Sequence, residues 1–274
     1  MSIADEIIDL NNNLESAKNA VISKGGTVGD TGLAGLASEI LSIPSGGGNE
    51  WGSLIYEDSN NIQHQVTIQN EDEYLLLGNT AFTTVTIGGE TFTIGDIVRV
   101  DLGAHAAYTP DNFLRSCTKL TTITGVENIM FASSYFLFQC TALDCELNFE
   151  DLVITQRDFL SQCSSLNSPV SFPRLKSLGQ NFMNRCSAFA QSLTLPSSLI
   201  STSTSMFNRC DNFVGPLVCN SNSAPTDNNT LSTTSATAPM YTTGITLTGT
   251  YANLWKSNLP DRTSSPYRKL ILGS

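Results

Sequence analysis

The sequence has few charged residues, and positive charge is especially scarce. Lys and Arg together number 14 of 274 residues, against 25 Asp and Glu, which gives a net charge of -11. Because nucleic acid is a polyanion that this surface repels, we exclude nucleic acid as a partner. Charged residues make up only 14% of the chain. Neutral Ser, Thr and Asn therefore supply much of the polar surface, which suits an extracellular or particle surface.

Long apolar runs and catalytic residue types are also scarce. No apolar run approaches the roughly 18 residues of a membrane-spanning helix, so we expect no membrane insertion. Asp5 and Glu6 stand where a secretory signal carries positive charge, so we expect no export signal. His64 and His105 are the only histidines, and no glycine-rich segment continues into the Lys-Ser/Thr of a phosphate-binding loop. We therefore predict a protein that is not an enzyme and has no cofactor.

One group of carboxylates permits a different interpretation. Glu146, Glu150 and Asp151 lie close together in sequence and include a possible acid pair of a glycosidase. The same three residues are equally typical of a solvated edge beside a strand. We favour the solvated edge and predict no catalytic residues.

The seven cysteines do not indicate disulfides or a metal site. Seven is an odd number, and five of the cysteines recur at one position of a repeat, which favours buried, reduced thiols. Zinc sites need paired Cys or His ligands at short spacing. Only Cys140 and Cys145 lie close together, so we predict no metal.

The first 44 residues predict a helical segment. Ser2 is a suitable N-cap, Gly25 and Gly26 end the first helix, and a shorter second helix is expected over about 32–42. A heptad seam, which we predict to mediate oligomerisation, is formed by Ile3, Ile7, Leu10, Leu14, Ala17 and Val21. The segment either folds on itself as a helical hairpin or self-associates, and Ile at both core positions permits a homotrimer. A glycine-rich linker, 45–50, follows.

Residues 51–109 predict a small β domain. Val85 and Ile87 alternate on one side of a strand, and Phe92 and Ile94 return after a Gly88-Gly89 turn, which is a hairpin pattern. Alternating segments lie on either side of this hairpin.

A repeat of about 23 residues, a length typical of leucine-rich units, fills the next segment, 110–220. Five cysteines recur at this period, with apolar residues four and three positions before and three positions after each of them. The predicted repeat core comprises Phe113, Cys117, Leu120, Phe136, Cys140, Leu143, Phe159, Cys163, Leu166, Phe182, Cys186, Phe189, Phe207, Cys210 and Phe213. This pattern predicts a helical turn or two.

Each predicted helical turn is followed by a short strand. Apolar residues alternate seven and nine positions after the cysteine, as in Leu147 and Phe149 or Val170 and Phe172. Stacked units of this kind bury a core that one unit cannot. We therefore predict an α+β protein with a helical N-terminal segment, a small β domain, a leucine-rich-repeat solenoid and, over 221–274, a loop and C-terminal cap.

The pattern Phe-x-x-x-Cys-x-x-Leu followed by a strand resembles leucine-rich repeats of the BspA type, found in bacterial surface adhesins and phage virion proteins. This chain departs from the adhesin form by having Asn112, Tyr135, Asp158, Asn181 and Ser205 before the aromatic pair, where alanine is common. The stretch IADEIIDLNNNLESAKNAVISKGGTV is similar to the start of many tailed-phage fibre, baseplate and receptor-binding proteins. These resemblances imply a virion location, with the N-terminal segment attached to other virion proteins.

Three functions follow from the resemblance. The first is recognition of a host-surface glycan or protein by a tail-fibre or receptor-binding component. The second is a purely structural virion component, such as a head fibre or baseplate adaptor, and the third is a bacterial adhesin. Trp255, Tyr251, Tyr241 and Tyr267 are candidates for stacking on sugar rings, but are equally typical of a cap core. The sequence leaves the ligand-binding residues unassigned.

Overall fold

The computed structural model describes residues 51–225, 229–233, 235–259 and 268–273. The predicted oligomerisation residues and the linker lie outside the described residues. The strands are β1 Gly52–Glu57, β2 Gln63–Thr67, β3 Thr84–Ile87, β4 Glu90–Thr93, β5 Ile97–Leu102, β6 Thr122–Thr124, β7 Phe131–Ala132, β8 Leu147–Asn148, β9 Ile154–Thr155, β10 Val170–Ser171, β11 Leu193–Leu195, β12 Leu217–Cys219, β13 Ile245–Thr248 and β14 Leu270–Leu272. The helices are α1 Glu71–Leu75, α2 Pro239–Thr242 and α3 Ala252–Asn258.

The first part of the described chain is an antiparallel unit that leads directly into the solenoid. β1 pairs antiparallel with both β2 and β5, whereas β5 pairs parallel with β6, so the sheet order is β2-β1-β5-β6. The predicted hairpin forms from β3 and β4, with Val85 opposite Phe92 and with Gly88 and Gly89 at positive φ. Glycine adopts this left-handed conformation without a side-chain clash.

A β-solenoid of about seven turns makes up the rest, and the described structure is mostly β with few helices. Parallel pairing joins equivalent residues of successive turns, such as Val100 with Ile123 and Leu147 with Val170. A second row of short parallel pairings, which includes Phe131 with Ile154, runs along another side. Alternating strand residues face inward, as Leu193 and Leu195 do in β11.

The segment before each repeat cysteine is not helical, which corrects the helical half of the α+β prediction. Positive φ occurs five, three and one residues before each cysteine, at Asn112, Leu114, Ser116, Tyr135, Leu137, Gln139, Asp158, Leu160, Gln162, Asn181, Met183, Arg185, Ser205, Phe207 and Arg209. Left-handed backbone costs a non-glycine residue about 1–2 kcal/mol. Neighbouring turns compensate through backbone hydrogen bonds.

These hydrogen bonds run alternately forward and backward along the solenoid. The N–H of Tyr135 donates to the Arg157 carbonyl in the next turn, and that of Gln139 donates to the Ser161 carbonyl, both at 2.9 Å. Between them, the N–H of Leu137 donates backward to the Phe113 carbonyl at 2.9 Å. A helix satisfies its N–H groups internally, whereas this conformation uses them to join turns.

The solenoid continues past the predicted boundary at 220. β12 pairs parallel with β13, with Leu217 opposite Leu247, and β13 pairs parallel with β14, with Ile245 opposite Leu270. Leu231 adopts positive φ, and its N–H donates to the Met206 carbonyl, as in the regular turns. One hydrophobic cluster includes residues from 51 to 270, so core packing crosses the predicted boundaries at 109 and 220. That these boundaries separate domains stays a prediction.

Candidate ligand-binding surface

The predicted repeat-core residues lie inside the solenoid. Every one of them is fully buried. The rings of Phe113, Phe136, Phe159 and Phe182 stack in sequence at centroid distances of 5.2–5.5 Å, with interplanar angles of 7–12°. These residues therefore supply packing, and the exposed side chains lie between them in the sequence.

The repeat cysteines have a structural hydrogen bond that the sequence pattern did not reveal. The thiol of Cys163 donates to the Leu137 carbonyl, and that of Cys186 donates to the Leu160 carbonyl, each at 3.1 Å. The accepting residue is the left-handed one of the preceding turn. Burial raises the pKa of the Cys163 thiol to about 12. This thiol is therefore neutral at physiological pH, and only a thiolate is a good nucleophile.

The two histidines occupy separate places in the antiparallel unit that begins the described chain, residues 51–109, which we call the N-terminal unit. His64 stacks on Tyr56 at 5.0 Å, and its Nε2 lies 3.2 Å from Asp58 Oδ2. Hydrogen bonds from the Ile62 backbone and from His64 lower the pKa of Asp58. His105 packs edge-on against Trp51 at 4.8 Å. The two rings therefore have different neighbours and do not form one site.

The candidate glycosidase carboxylates lie at the surface. Glu146 and Glu150 are exposed, and Asp151 is ion-paired with the exposed Arg174 at 2.9 Å. Because Asp151 and Arg174 are 23 residues apart, the pair links equivalent positions of neighbouring turns. Surface ion pairs of this kind contribute little to stability.

A surface that we call the turn strip is formed by the left-handed segments 111–116, 134–139, 157–162, 180–185 and 204–209. Residues immediately before the cysteines form a polar row along it. Ser116 Oγ donates to Gln139 Oε1 at 3.1 Å, and Gln139 Nε2 donates to Gln162 Oε1 at 3.2 Å. Arg185 and Arg209 continue this row in the next two turns. The row changes from amide to guanidinium while the core behind it stays apolar.

Two further arginines on the turn strip surround one aromatic ring. The guanidinium carbon of Arg115 lies 4.4 Å from the Tyr135 ring centroid, and that of Arg157 lies 4.6 Å from it. Phe138 packs edge-on against Tyr135 at 5.5 Å. Because the arginines come from the turns before and after Tyr135, this arrangement depends on the repeat stacking. The sequence offered no sign of it, since the three residues occupy different repeat positions.

Two other surface cations, Lys119 and Arg174, have carboxylate partners that the turn-strip arginines lack. Lys119 is ion-paired with Asp96 and Arg174 with Asp151, both at 2.9 Å. Arg115 donates from Nη1 to Asn112 Oδ1 at 3.0 Å, which is a neutral acceptor. The turn-strip arginines are Arg115, Arg157, Arg185 and Arg209. Within the described ranges, none of them has a carboxylate at ion-pair distance.

The outer face of the β2-β1-β5-β6 sheet has two adjoining depressions, of about 260 and 510 Å³. Both are lined by Ile55 and Arg99, with Asp101 in the smaller and Lys119 in the larger. They are shallow, and their charges are mixed in sign. This face suits weak polar contacts better than a single defined ligand.

The candidate sugar-stacking aromatics at the C-terminal end separate into different environments. Trp255 is fully buried, and its Nε1 donates to the Ser221 carbonyl at 3.0 Å. Tyr251 is exposed and Tyr241 half-buried, while Tyr267 lies outside the described residues. Trp255 therefore serves as core, and the structure does not bring the four aromatic residues together on one surface.

Membrane-spanning helices and metal-binding clusters are both absent from the described residues. Within them, every helix is too short or too polar to cross a bilayer. The same part of the chain has no group of three or more His, Cys, Asp or Glu arranged to hold a metal ion. Comparison of the chain with protein-family models, curated proteins and solved structures found no match in any of the three.

Proposed function

We propose that this protein is a nonenzymatic component of a tailed-phage virion, with BspA-type repeats, and that its solenoid recognises the host cell surface. The variation of outward residues along the turn strip supports this proposal. Its core is repetitive, but its outward residues change from turn to turn, from Arg115 and Tyr135 to Gln162 and Arg185. An extended surface of variable residues on a constant frame is how repeat proteins bind large ligands.

The N-terminal segment is assigned to assembly. In this proposal, residues 1–44 attach to other virion proteins and associate as a homotrimer through the predicted heptad seam. Three solenoids on one particle raise the apparent affinity for a repetitive surface, even if each binds weakly. Weak individual sites fit the shallow, polar character of the described surfaces.

Binding of the labelled full chain to a panel of candidate host cells, and to their isolated surface polysaccharides, tests the proposal. Saturable binding to particular strains is expected. A variant lacking residues 1–44 serves as the comparison and is expected to bind more weakly, because it loses multivalency.

The outcomes separate the alternatives. Absence of binding to a confirmed host contradicts receptor recognition and favours a structural role in a head fibre or baseplate. A monomeric full-length chain in sedimentation experiments contradicts the trimer. Equal binding by the full chain and by the variant lacking residues 1–44 also removes the avidity argument.

A further inference from the structure

The four turn-strip arginines stand out against an acidic chain. Eleven Lys and Arg residues lie in the described ranges, and four of them are on this surface. Its only carboxylates are Asp111 and Asp158, so the turn strip has two more positive than negative charges. Salt screens interactions beyond about 8 Å at physiological ionic strength, so a ligand here responds mainly to this local charge.

The Arg115, Tyr135 and Arg157 cluster holds two like charges beside one ring. Stacking against an aromatic ring fixes a guanidinium without using all of its N–H donors. Arg115 makes the one side-chain hydrogen bond to Asn112, and Arg157 makes none to described residues. Both groups therefore retain N–H donors for an oxyanion, and a bound anion offsets the positive charge that two guanidiniums concentrate around one ring.

We propose that the turn strip binds an anionic polysaccharide, with carboxylate or phosphodiester groups of the glycan held by Arg115 and Arg157. This inference rests on the proposed function and names its ligand class. Neighbouring turns stack at roughly 4.8 Å. The four arginines lie between the first and the fifth turn, so they extend over about 19 Å, which suits an extended polymer. Gln139 and Gln162 lie between them and offer amide groups to sugar hydroxyls.

Nucleic acid fits this surface less well, although arginines and aromatics also bind single strands. Duplex DNA carries one charge per about 1.7 Å, and the surrounding acidic surface repels a polymer so densely charged. A polysaccharide with one carboxylate per sugar, or a polymer with one phosphodiester per glycerol unit, is less densely charged than duplex DNA, so the acidic surroundings repel it less. Single-stranded DNA is therefore included in the test as a competing ligand.

The test measures binding of the full chain by calorimetry to four probes: polygalacturonic acid, a poly(glycerol phosphate) teichoic acid, neutral dextran and a single-stranded oligonucleotide. Binding is expected to one or both anionic saccharides, with the two arms distinguishing carboxylate from phosphodiester. The double variant Arg115→Gln/Arg157→Gln is expected to bind about tenfold more weakly, since two charge-assisted contacts are lost.

Two further variants separate this site from general charge and from misfolding. Arg174→Gln/Lys176→Gln removes the same charge from another surface and is expected to change affinity less than about twofold. Tyr135→Leu keeps both arginines but removes the ring, and an intermediate loss of about threefold is expected. Circular dichroism melting confirms that each variant is folded.

The outcomes distinguish this inference from the proposed function. Unchanged affinity in the folded Arg115→Gln/Arg157→Gln variant, no binding to either anionic saccharide, or preference for the oligonucleotide overturns the inference. Host-cell binding that the double variant retains supports receptor recognition and removes the anion site. Binding of anionic saccharides without binding to a confirmed host supports the anion site and contradicts receptor recognition.

Discussion

The five regular turns contain the repeat cysteines, and the C-terminal turns contain β13 and β14. Both sets share parallel strand pairing but fill their core with different side chains. In the regular turns, a cysteine thiol fills one position of every turn, and a phenylalanine of the stack fills a second position in the first four turns. In the C-terminal turns, β13 and β14 keep parallel pairing although the chain between paired strands is longer, and Trp255 provides the bulk. Parallel pairing therefore tolerates insertions that remove the sequence repeat.

The left-handed residue and its hydrogen bond to the preceding turn are common to both kinds of turn. Leu231 has the same left-handed conformation and backward hydrogen bond as Leu137, although the residues around it no longer match the repeat. The hydrogen bond between turns is kept, and the loops beyond it vary. Loop length adds little free-energy cost, because loop-closure entropy rises slowly with length.

The largest expected effect comes from removing a ring of the central stack. Phe159 is fully buried, and its ring centroid lies 5.2 Å from those of Phe136 and Phe182. Phe159→Ala is therefore expected to lower the free energy of unfolding by about 3–5 kcal/mol. Phe82, which is 91% exposed, is the matched control, and Phe82→Ala is expected to change stability by less than about 0.5 kcal/mol. Urea denaturation measures both. Similar losses contradict the buried stack.

A smaller and more local effect is expected at the C-terminal end. Trp255→Ala removes the fully buried indole and its hydrogen bond to Ser221, at a cost of about 3 kcal/mol. Because repeat turns contact only their neighbours, amide exchange is expected to accelerate in β13 and β14 while β8 and β10 stay protected. Uniform acceleration throughout the solenoid contradicts independent behaviour of these turns.

Two buried cysteines, Cys163 and Cys219, differ in whether the thiol bonds to the preceding turn. Cys163→Ala removes sulfur and a thiol hydrogen bond to the preceding turn, for which we expect a loss of about 1–2 kcal/mol. Cys219 is also fully buried, but its thiol lies 3.6 Å from the carbonyl of Leu217 in its own strand. Cys219→Ala is therefore expected to cost less. The reverse order in thermal melts contradicts a structural role of the thiol hydrogen bonds between turns.

Alkaline pH is expected to weaken the thiol-lined core, and the loss at Cys163 is expected to be about 1 kcal/mol near pH 10. Burial raises the pKa of Cys163 from 9.0 to about 12. The unfolded chain therefore releases this proton first, and the stabilising contribution of the thiol is complete below pH 9 and is lost as pH rises toward 12. Urea titrations at about pH 8 and pH 10 are expected to show a smaller decline for Cys163→Ala than for the unchanged chain. Equal declines contradict this assignment.

The sequence predicted the period, the hairpin and the short strands because apolar spacing reports directly which side chains face inward. The local backbone before each cysteine was predicted wrongly as helical. Phe136, Cys140 and Leu143 have helical spacing, but the same inward directions arise from alternating φ signs. Asn112 and Asp158 offered a signal, since Asn and Asp adopt positive φ more readily than most residues.

The candidate site was less accessible to sequence reasoning. Arg115, Tyr135 and Arg157 come together only because successive turns stack, and they stand at three different repeat positions. Trp255 was a candidate for sugar stacking, but its partner Ser221 is distant in sequence, and this contact requires the three-dimensional fold. Periodicity identifies a core that repeats, whereas the proposed binding surface consists of residues that do not.

The most direct test of ligand recognition by the solenoid is hydroxyl-radical footprinting of the full chain with isolated host surface polysaccharide. Binding at the turn strip is expected to lower the oxidation of Tyr135 and Phe138 when polysaccharide is present, while oxidation of the exposed Phe82 in the N-terminal unit stays constant. Protection of Phe82 with unchanged oxidation of Tyr135 and Phe138 contradicts recognition by the solenoid and assigns it to the N-terminal unit.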